Sequence, residues 1–313
     1  MTEVDAMDAG GAGLRVVSLL ASGTEIVCAL GLGEMLVGRS HECDNPPWVR
    51  GLPALSEPAF DVSVSSREID REVTRRIRAG EPLYRLDTER IWELKPDVVI
   101  TQAHCEVCAV TPGDVERAGC ATPAAQVLAL TAGTLEGIFE GMLRVAEALG
   151  VESQGRALVA AEQARLDRVR TRCAGRTAPT VVLLEWTDPI FAMGNWGPEL
   201  VEVANGELLI GHAGEHSRAI AWDAVREADP EVLVVAPCGF NLERALVELG
   251  TLEALDGWTA LRAVRGGRVA FADGNRFFNR SGMTVVGTAE ILAEMLHGEV
   301  FEERTEGVHW RWA

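Results

Sequence analysis

Five short stretches concentrate the residue types that can do chemistry: HECDNPPW (41–48), QAHCEVCAV (102–110), EWTDPIFAMGNWG (185–197), APCGFN (236–241) and DGNRFFNRSG (273–282). Cys105 and Cys108 form a single CxxC preceded by His104, half of the ligand set of a tetrahedral zinc site, and no second CxxC completes it. His41, Cys43 and Cys238 are the candidates to join Cys105 and Cys108 around zinc or iron, with Glu42 or Glu185 as a base. Redox use of the CxxC is disfavoured, because Glu106 sits between the two thiols and opposes the thiolate. No GxSxG or comparable nucleophile and base pattern occurs, so no catalytic residue is assigned and a binding protein is favoured over an enzyme.

Aromatic residues point to a second kind of chemistry. Trp48, Trp186, Phe191, Trp196, Phe240, Phe277 and Phe278 all fall in these stretches, in a chain with only eight Trp, eight Phe and one Tyr. Flat, rigid side chains on loops suit a broad, mostly apolar ligand held by a few polar anchors. The expected ligand contacts are therefore these aromatics with Ser22, His41, Glu42, Glu185 and Asn279.

The elements that must position these loops alternate along the chain. RVVSLL reads as a short buried strand, and SGTEIVCALGLG as a helix, with Ser22 and Glu25 spaced as a capping box. MLVGRS, KPDVVITQ, TVVLLEW, EVLVVAPCGF and RVAFADGN read as further strands, each running into one of the chemical loops. Residues 65–80 and 282–296 read as helices; the Arg67–Arg78 run, interleaved with Glu68, Asp70 and Glu72, reads as a solvated helix face. Residues 134–173 form one long helical stretch interrupted at Gly150. The expected division is an acidic tail over 1–13, an α/β lobe over 14–133, an inter-lobe helix over 134–173, a second α/β lobe over 174–300 and a tail over 301–313 whose two Trp have no evident place. Ligands of open α/β sheets bind beyond the carboxyl ends of the strands, so these loops should line one cleft between the lobes.

A formal net charge of −18, with no basic patch, argues against nucleic acid as a partner. The apolar run LRVVSLLASG is too short to insert in a membrane, and MTEVDAMDAGGAG carries acids where a secretory signal carries bases. Thr24, not Cys, follows LLASG, and seven cysteines make no dense disulfide framework. These features lead to the expectation of a cytoplasmic chain.

The segment RVVSLLASGTEIVCALGLGEMLVGRSHECDNPP resembles the opening of cobalamin-binding and iron-siderophore-binding proteins of ABC importers, and LKPDVVIT, ADPEVLVVAPCG and WTALRAVRGGRVAFADGN are similar to later parts of that family, in order. The resemblance spans roughly residues 14–298. It implies an α/β protein of two Rossmann-like lobes joined by a long rigid backbone helix, with a small-molecule ligand clamped in the cleft between lobes. It also implies a corrinoid such as cobalamin, or a similar large metal-bearing molecule, as that ligand, and an ABC permease as partner if the chain is exported. Two departures stand beside it: the N-terminus resembles no export signal, as in a cytoplasmic branch of the family, and the cleft loops are rich in thiols. Within this reading His41 is the candidate axial ligand to the corrin cobalt.

Overall fold

A computed structural model of the chain describes residues 13–103, 107, 109–119, 125–298, 300–301 and 304–313. The first lobe runs β1 (Val16–Ser18), α1 (Ala21–Ala29), β2 (Leu36–Arg39), β3 (Ser56–Pro58), α2 (Ser66–Ala79), β4 (Tyr84–Leu86), α3 (Thr88–Leu94), β5 (Val98–Gln102), α4 (Pro112–Arg117) and β6 (Gln126–Leu130). Its main sheet has the order β2-β1-β5-β6, all parallel, and β3 pairs antiparallel with β4 beside it. Helices α5 (Leu135–Ala148) and α6 (Glu152–Cys173) follow.

The second lobe contains β7 (Thr180–Thr187), β8 (Ile190–Ala192), α7 (Gly197–Val203), β9 (Glu207–Leu208), β10 (Arg218–Ala219), α8 (Trp222–Ala228) and β11 (Val232–Val235). It continues with α9 (Leu242–Val247), α10 (Leu249–Glu253), α11 (Arg262–Arg265), β12 (Val269–Ala272), α12 (Val285–His297) and β13 (Trp310–Trp312). Its sheet has the order β10-β8-β7-β11-β12-β13, with β9 on β7. Strands β7, β11 and β12 are parallel, whereas β8 and β13 are antiparallel additions. VLVV in β11 and VVITQ in β5 are buried along their whole length, the apolar runs that a parallel sheet covered on both faces demands.

One apolar cluster passes from β1 and β5 through Ile138, Met142, Leu166 and Val169 to Leu183, Ala272 and Leu292. The two lobes therefore share a core instead of meeting at a free hinge, which limits their relative motion. Helix α6, 22 residues and so about 33 Å long, packs on α5, α7 and α12 and joins the lobes. No helix among the described residues is long and apolar enough to cross a membrane.

Two local expectations change, and the interruption expected at Gly150 takes a definite form. Ser22 lies inside α1, whose N-cap is Leu20 with no side-chain cap; Glu25 turns away to bond Arg280, so no capping box forms. The 134–173 stretch is two helices, because Gly150 takes φ +72°, a left-handed conformation that ends α5 and turns the chain into α6. The 301–313 segment is part of the second sheet: β13 pairs antiparallel with β12, and Trp310 is 1% exposed. Residues 1–12 of the expected acidic tail lie outside the described residues.

Candidate functional site

A cavity of about 970 Å³ opens between the lobes, beyond the carboxyl ends of β1, β2, β7 and β11. Its floor is the start of α1, where Ser22 sits against the backbone of Gly282. A Cβ at Gly282 would come within 2.6 Å of the Ser22 Cβ, so only glycine lets the two lobes approach this closely. Next to this contact, Arg280 Nη1 donates to Glu25 Oε1 at 2.8 Å and to Asp44 Oδ1 at 2.9 Å. Asn45 Nδ2 donates to the same Glu25 oxygen at 3.1 Å. Burial pushes the Glu25 carboxyl up, with Arg280 pulling it down, and Arg280 is held above the usual guanidinium range despite its own burial. Ser22 Oγ, Glu25 Oε2 and Arg280 Nη2 are buried there with no hydrogen-bond partner among the described residues.

The 41–48 loop distributes its chemistry between cavity and core. His41 and Glu42 line the cavity. His41 Nδ1 lies 2.9 Å from Ser56 Oγ, and burial, helped by Arg39, pulls the imidazole down to about 4, so it is neutral at pH 7. Burial pushes Glu42 up to about 7 against the pull of Arg280. Cys43 turns inward, its Sγ 3.0 Å from Thr24 Oγ1, and burial holds it as a thiol. Pro47 to Gly51 wind into a short helical turn that carries Trp48 to the surface, 52% exposed and packed beside Gly33.

The opposite wall comes from the second lobe. Glu185 and Trp186 end β7, Phe191 comes from β8, and Trp196 precedes α7. The Trp186 and Phe240 rings stand 5.1 Å apart, and the Arg244 guanidinium lies 4.0 Å above Phe240. Asn279 also lines the cavity, although its Nδ2 donates to the carbonyls of Ala236 and Gly274 and so shapes the loop.

Of the expected ligand contacts, Ser22, His41, Glu42, Glu185, Trp186, Phe191, Trp196, Phe240 and Asn279 thus meet around one cavity. Trp48, Phe277 and Phe278 do not. Phe278 is fully buried and Phe277 is 8% exposed, both in the shared core, because a wide helical turn over Gly274–Phe278 directs them inward. Of the expected metal ligands, His41, Cys43 and Cys238 all border the cavity, with Cys43 almost fully buried, and no group of three or more His, Cys, Asp or Glu that could hold a metal ion exists among the described residues. Cys105 and Cys108 lie outside the described residues.

No pattern in the sequence singled out Arg39, Tyr84 and Arg280 as lining the cavity, and α2, expected as a solvated helix, also contributes its inner face. The signal for α2 was present: Ile69, Val73 and Ile77 recur every four residues behind the arginines and face the cavity together with Phe60 and Val62.

Comparison with known proteins agrees with this architecture. The family model described as periplasmic binding protein matches residues 16–275. An uncharacterized ABC transporter substrate-binding lipoprotein, YvrC of Bacillus subtilis (strain 168), is 23% identical over 296 residues, covering 92% of this chain and 82% of that protein. An ABC transporter substrate-binding protein from Listeria monocytogenes EGD-e superposes with a TM-score of 0.70 at 19% identity, covering 91% of this chain and 99% of that one. A periplasmic heme binding protein from Pseudomonas aeruginosa gives 0.68 at 21% identity, covering 92% and 94%. The periplasmic vitamin B12 binding protein BtuF of Vibrio cholerae gives 0.65 at 19% identity, covering 90% and 96%. The cytoplasmic expectation is overturned by these matches: the family is periplasmic and the Bacillus relative is a lipoprotein, both pointing away from the cytoplasm. That expectation rested on the charges of the first few residues, whereas the match rests on the folded body of the protein. Across both lobes, the chain belongs to the periplasmic binding protein family.

Proposed function

We propose that this protein captures a corrinoid in its inter-lobe cavity and delivers it to an ABC permease. The observation that carries this reading is the cavity itself, whose roughly 970 Å³ lies near the top of the range of small-molecule sites, about 300–1,000 Å³. Trp186, Phe191, Trp196 and Phe240 supply broad apolar contact, and His41 offers a neutral imidazole of the kind that coordinates cobalt or iron. The Vibrio and Pseudomonas proteins of the same fold are a vitamin B12 binding protein and a heme binding protein, and both of those ligands are large, flat and metal-bearing.

Charge favours a corrinoid over a porphyrin. Glu42, Asp44, Asp70 and Glu185 line the cavity. Of its arginines, Arg280 is engaged by Glu25 and Asp44, Arg50 lies 3.8 Å from Asp44, Arg244 bonds Glu248, and Arg39 donates to the Ser40 carbonyl. Three of these four arginines are already paired with carboxylates, so a ligand with neutral carboxamide arms suits the wall better than one whose carboxylates call for free cations. Calorimetric titration of the purified protein with hydroxocobalamin and, separately, with hemin tests the reading. Saturation near one hydroxocobalamin per chain, with hemin at least tenfold weaker, is expected. Tighter hemin binding, or no heat with hydroxocobalamin, contradicts it.

A further inference from the structure

Helix α2 belongs to the first lobe by connectivity but packs on the second. It is carried on an excursion between β3 and β4, an antiparallel pair that forms its stalk. A capping box at Ser65 and Glu68 starts it, and Gly80, at φ +66°, ends it. Arg76 donates to the carbonyls of Ala59 and Pro82, which closes the excursion on itself as a unit. The regular element it packs on most is β7 of the second lobe, and Ile69 joins that lobe's apolar cluster with Leu184 and Phe240. Between these two attachments α2 spans the cavity, and Ile69, Val73 and Ile77 line it.

The contact with the second lobe turns on one buried acid. Glu248, 3% exposed, accepts Ser66 Oγ at 2.8 Å and Thr187 Oγ1 at 2.5 Å on Oε2, and Arg244 Nη1 at 2.6 Å on Oε1. Arg244 also donates to the Val64 carbonyl at 3.1 Å, and Arg67 pairs with Asp188 at 2.6 Å. Three of these partners, Ser66, Val64 and Arg67, belong to the excursion; Thr187, Asp188 and Arg244 belong to the second lobe. Elsewhere α2 is loosely held, with only Ser66 and Ile69 buried among its 14 residues. An element with few buried apolar contacts and its anchors gathered at one end opens locally at low cost.

We infer that the β3–α2–β4 excursion is a lid over the cavity and that Glu248 is the positioning residue that latches it shut. Because the two lobes share a continuous core, the lid supplies the motion that lets a ligand of this breadth enter and leave without separating the lobes. The inference rests on the cavity being the ligand site, but its test needs no ligand. Cys238 lines the cavity, so its alkylation by fluorescein maleimide, located by peptide mass spectrometry on the full chain, reports opening.

Glu248→Gln should raise the Cys238 labelling rate about tenfold or more, the factor expected when hydrogen bonds to a charged group are weakened. Ser66→Ala, which removes one lid hydroxyl and leaves Thr187 and Arg244 on the carboxylate, should raise it less. Amide hydrogen exchange should quicken over 66–79 while β7 and β11 stay unchanged. Unchanged labelling in both variants would make α2 a fixed wall, and exchange that quickens through both sheets would make Glu248 a core residue and not a latch; either result overturns the inference. A failure of corrinoid binding with these results intact would reject the ligand and keep the lid.

Discussion

Arg280 Nη1 donates to Glu25 Oε1 at 2.8 Å, joining positions 255 residues apart in the chain at the floor of the cleft. Both side chains are almost fully buried, Arg280 at 4% and Glu25 at 2% exposure. Removing one member of such a pair strands the other charge in a poorly solvating place. Arg280→Met is therefore expected to lower stability by about 3–5 kcal/mol, and the double variant Glu25→Leu/Arg280→Met to recover much of that loss. Urea unfolding of the two variants checks this; a single variant as stable as the parent would show that the pair does not hold the floor together.

Two cavity residues give opposite pH slopes. Glu42 titrates near 7 in the folded chain against an ordinary 4.5, so the folded state holds a proton that the unfolded state releases. Its contribution therefore falls as pH rises from about 4.5 to about 7 and is flat above. His41 titrates near 4 against 6.5, so the folded state refuses a proton that the unfolded state takes up, and its contribution falls as pH drops from about 6.5 to about 4. Between these limits the two partly cancel. Glu42→Gln should remove the first slope and His41→Asn the second in denaturation curves taken at pH 4, 5, 6, 7 and 8; a Glu42→Gln profile parallel to the parent's refutes the assignment.

At the far edge of the second sheet, Trp310 packs edge-on to Trp312 with centroids 5.0 Å apart and covers β12. Trp310→Ala should cost about 3–5 kcal/mol, the usual loss for a large buried aromatic. Removing residues 304–313 should do more, since it also bares the edge of β12 and invites association between copies. Light scattering of the shortened chain, expected to rise on warming well before that of the full chain, checks the second point.

The alternation of strands and helices was legible because it rests on local signals, such as the apolar run VLVV of β11 and the helical pattern over 65–80. The loops that line the cavity were legible for the same reason, as each follows a strand. Pairings across the fold were not. Glu25 stands three residues after Ser22, as a capping residue would, and only Arg280, far away in sequence, draws it elsewhere. Aromatic side chains show the same limit: Trp186 and Phe278 look equivalent in sequence, yet one faces the cavity and the other is fully buried, a difference set by the helical turn at 274–278. The charged face of α2 hid its apolar face, because neither lobe's own pattern shows that a helix of one will rest on the other.

Whether the cavity holds a corrinoid is tested most directly by titrating hydroxocobalamin into the parent protein and Trp186→Ala side by side, following quenching of tryptophan fluorescence. Saturable quenching is expected in the parent at about micromolar concentration, corresponding to roughly 8 kcal/mol, with at least about tenfold weaker binding in Trp186→Ala as its ring contact with the ligand is lost. Equal affinity in the two proteins would place the ligand outside this cavity, and no saturable quenching in the parent would rule out a corrinoid as its ligand.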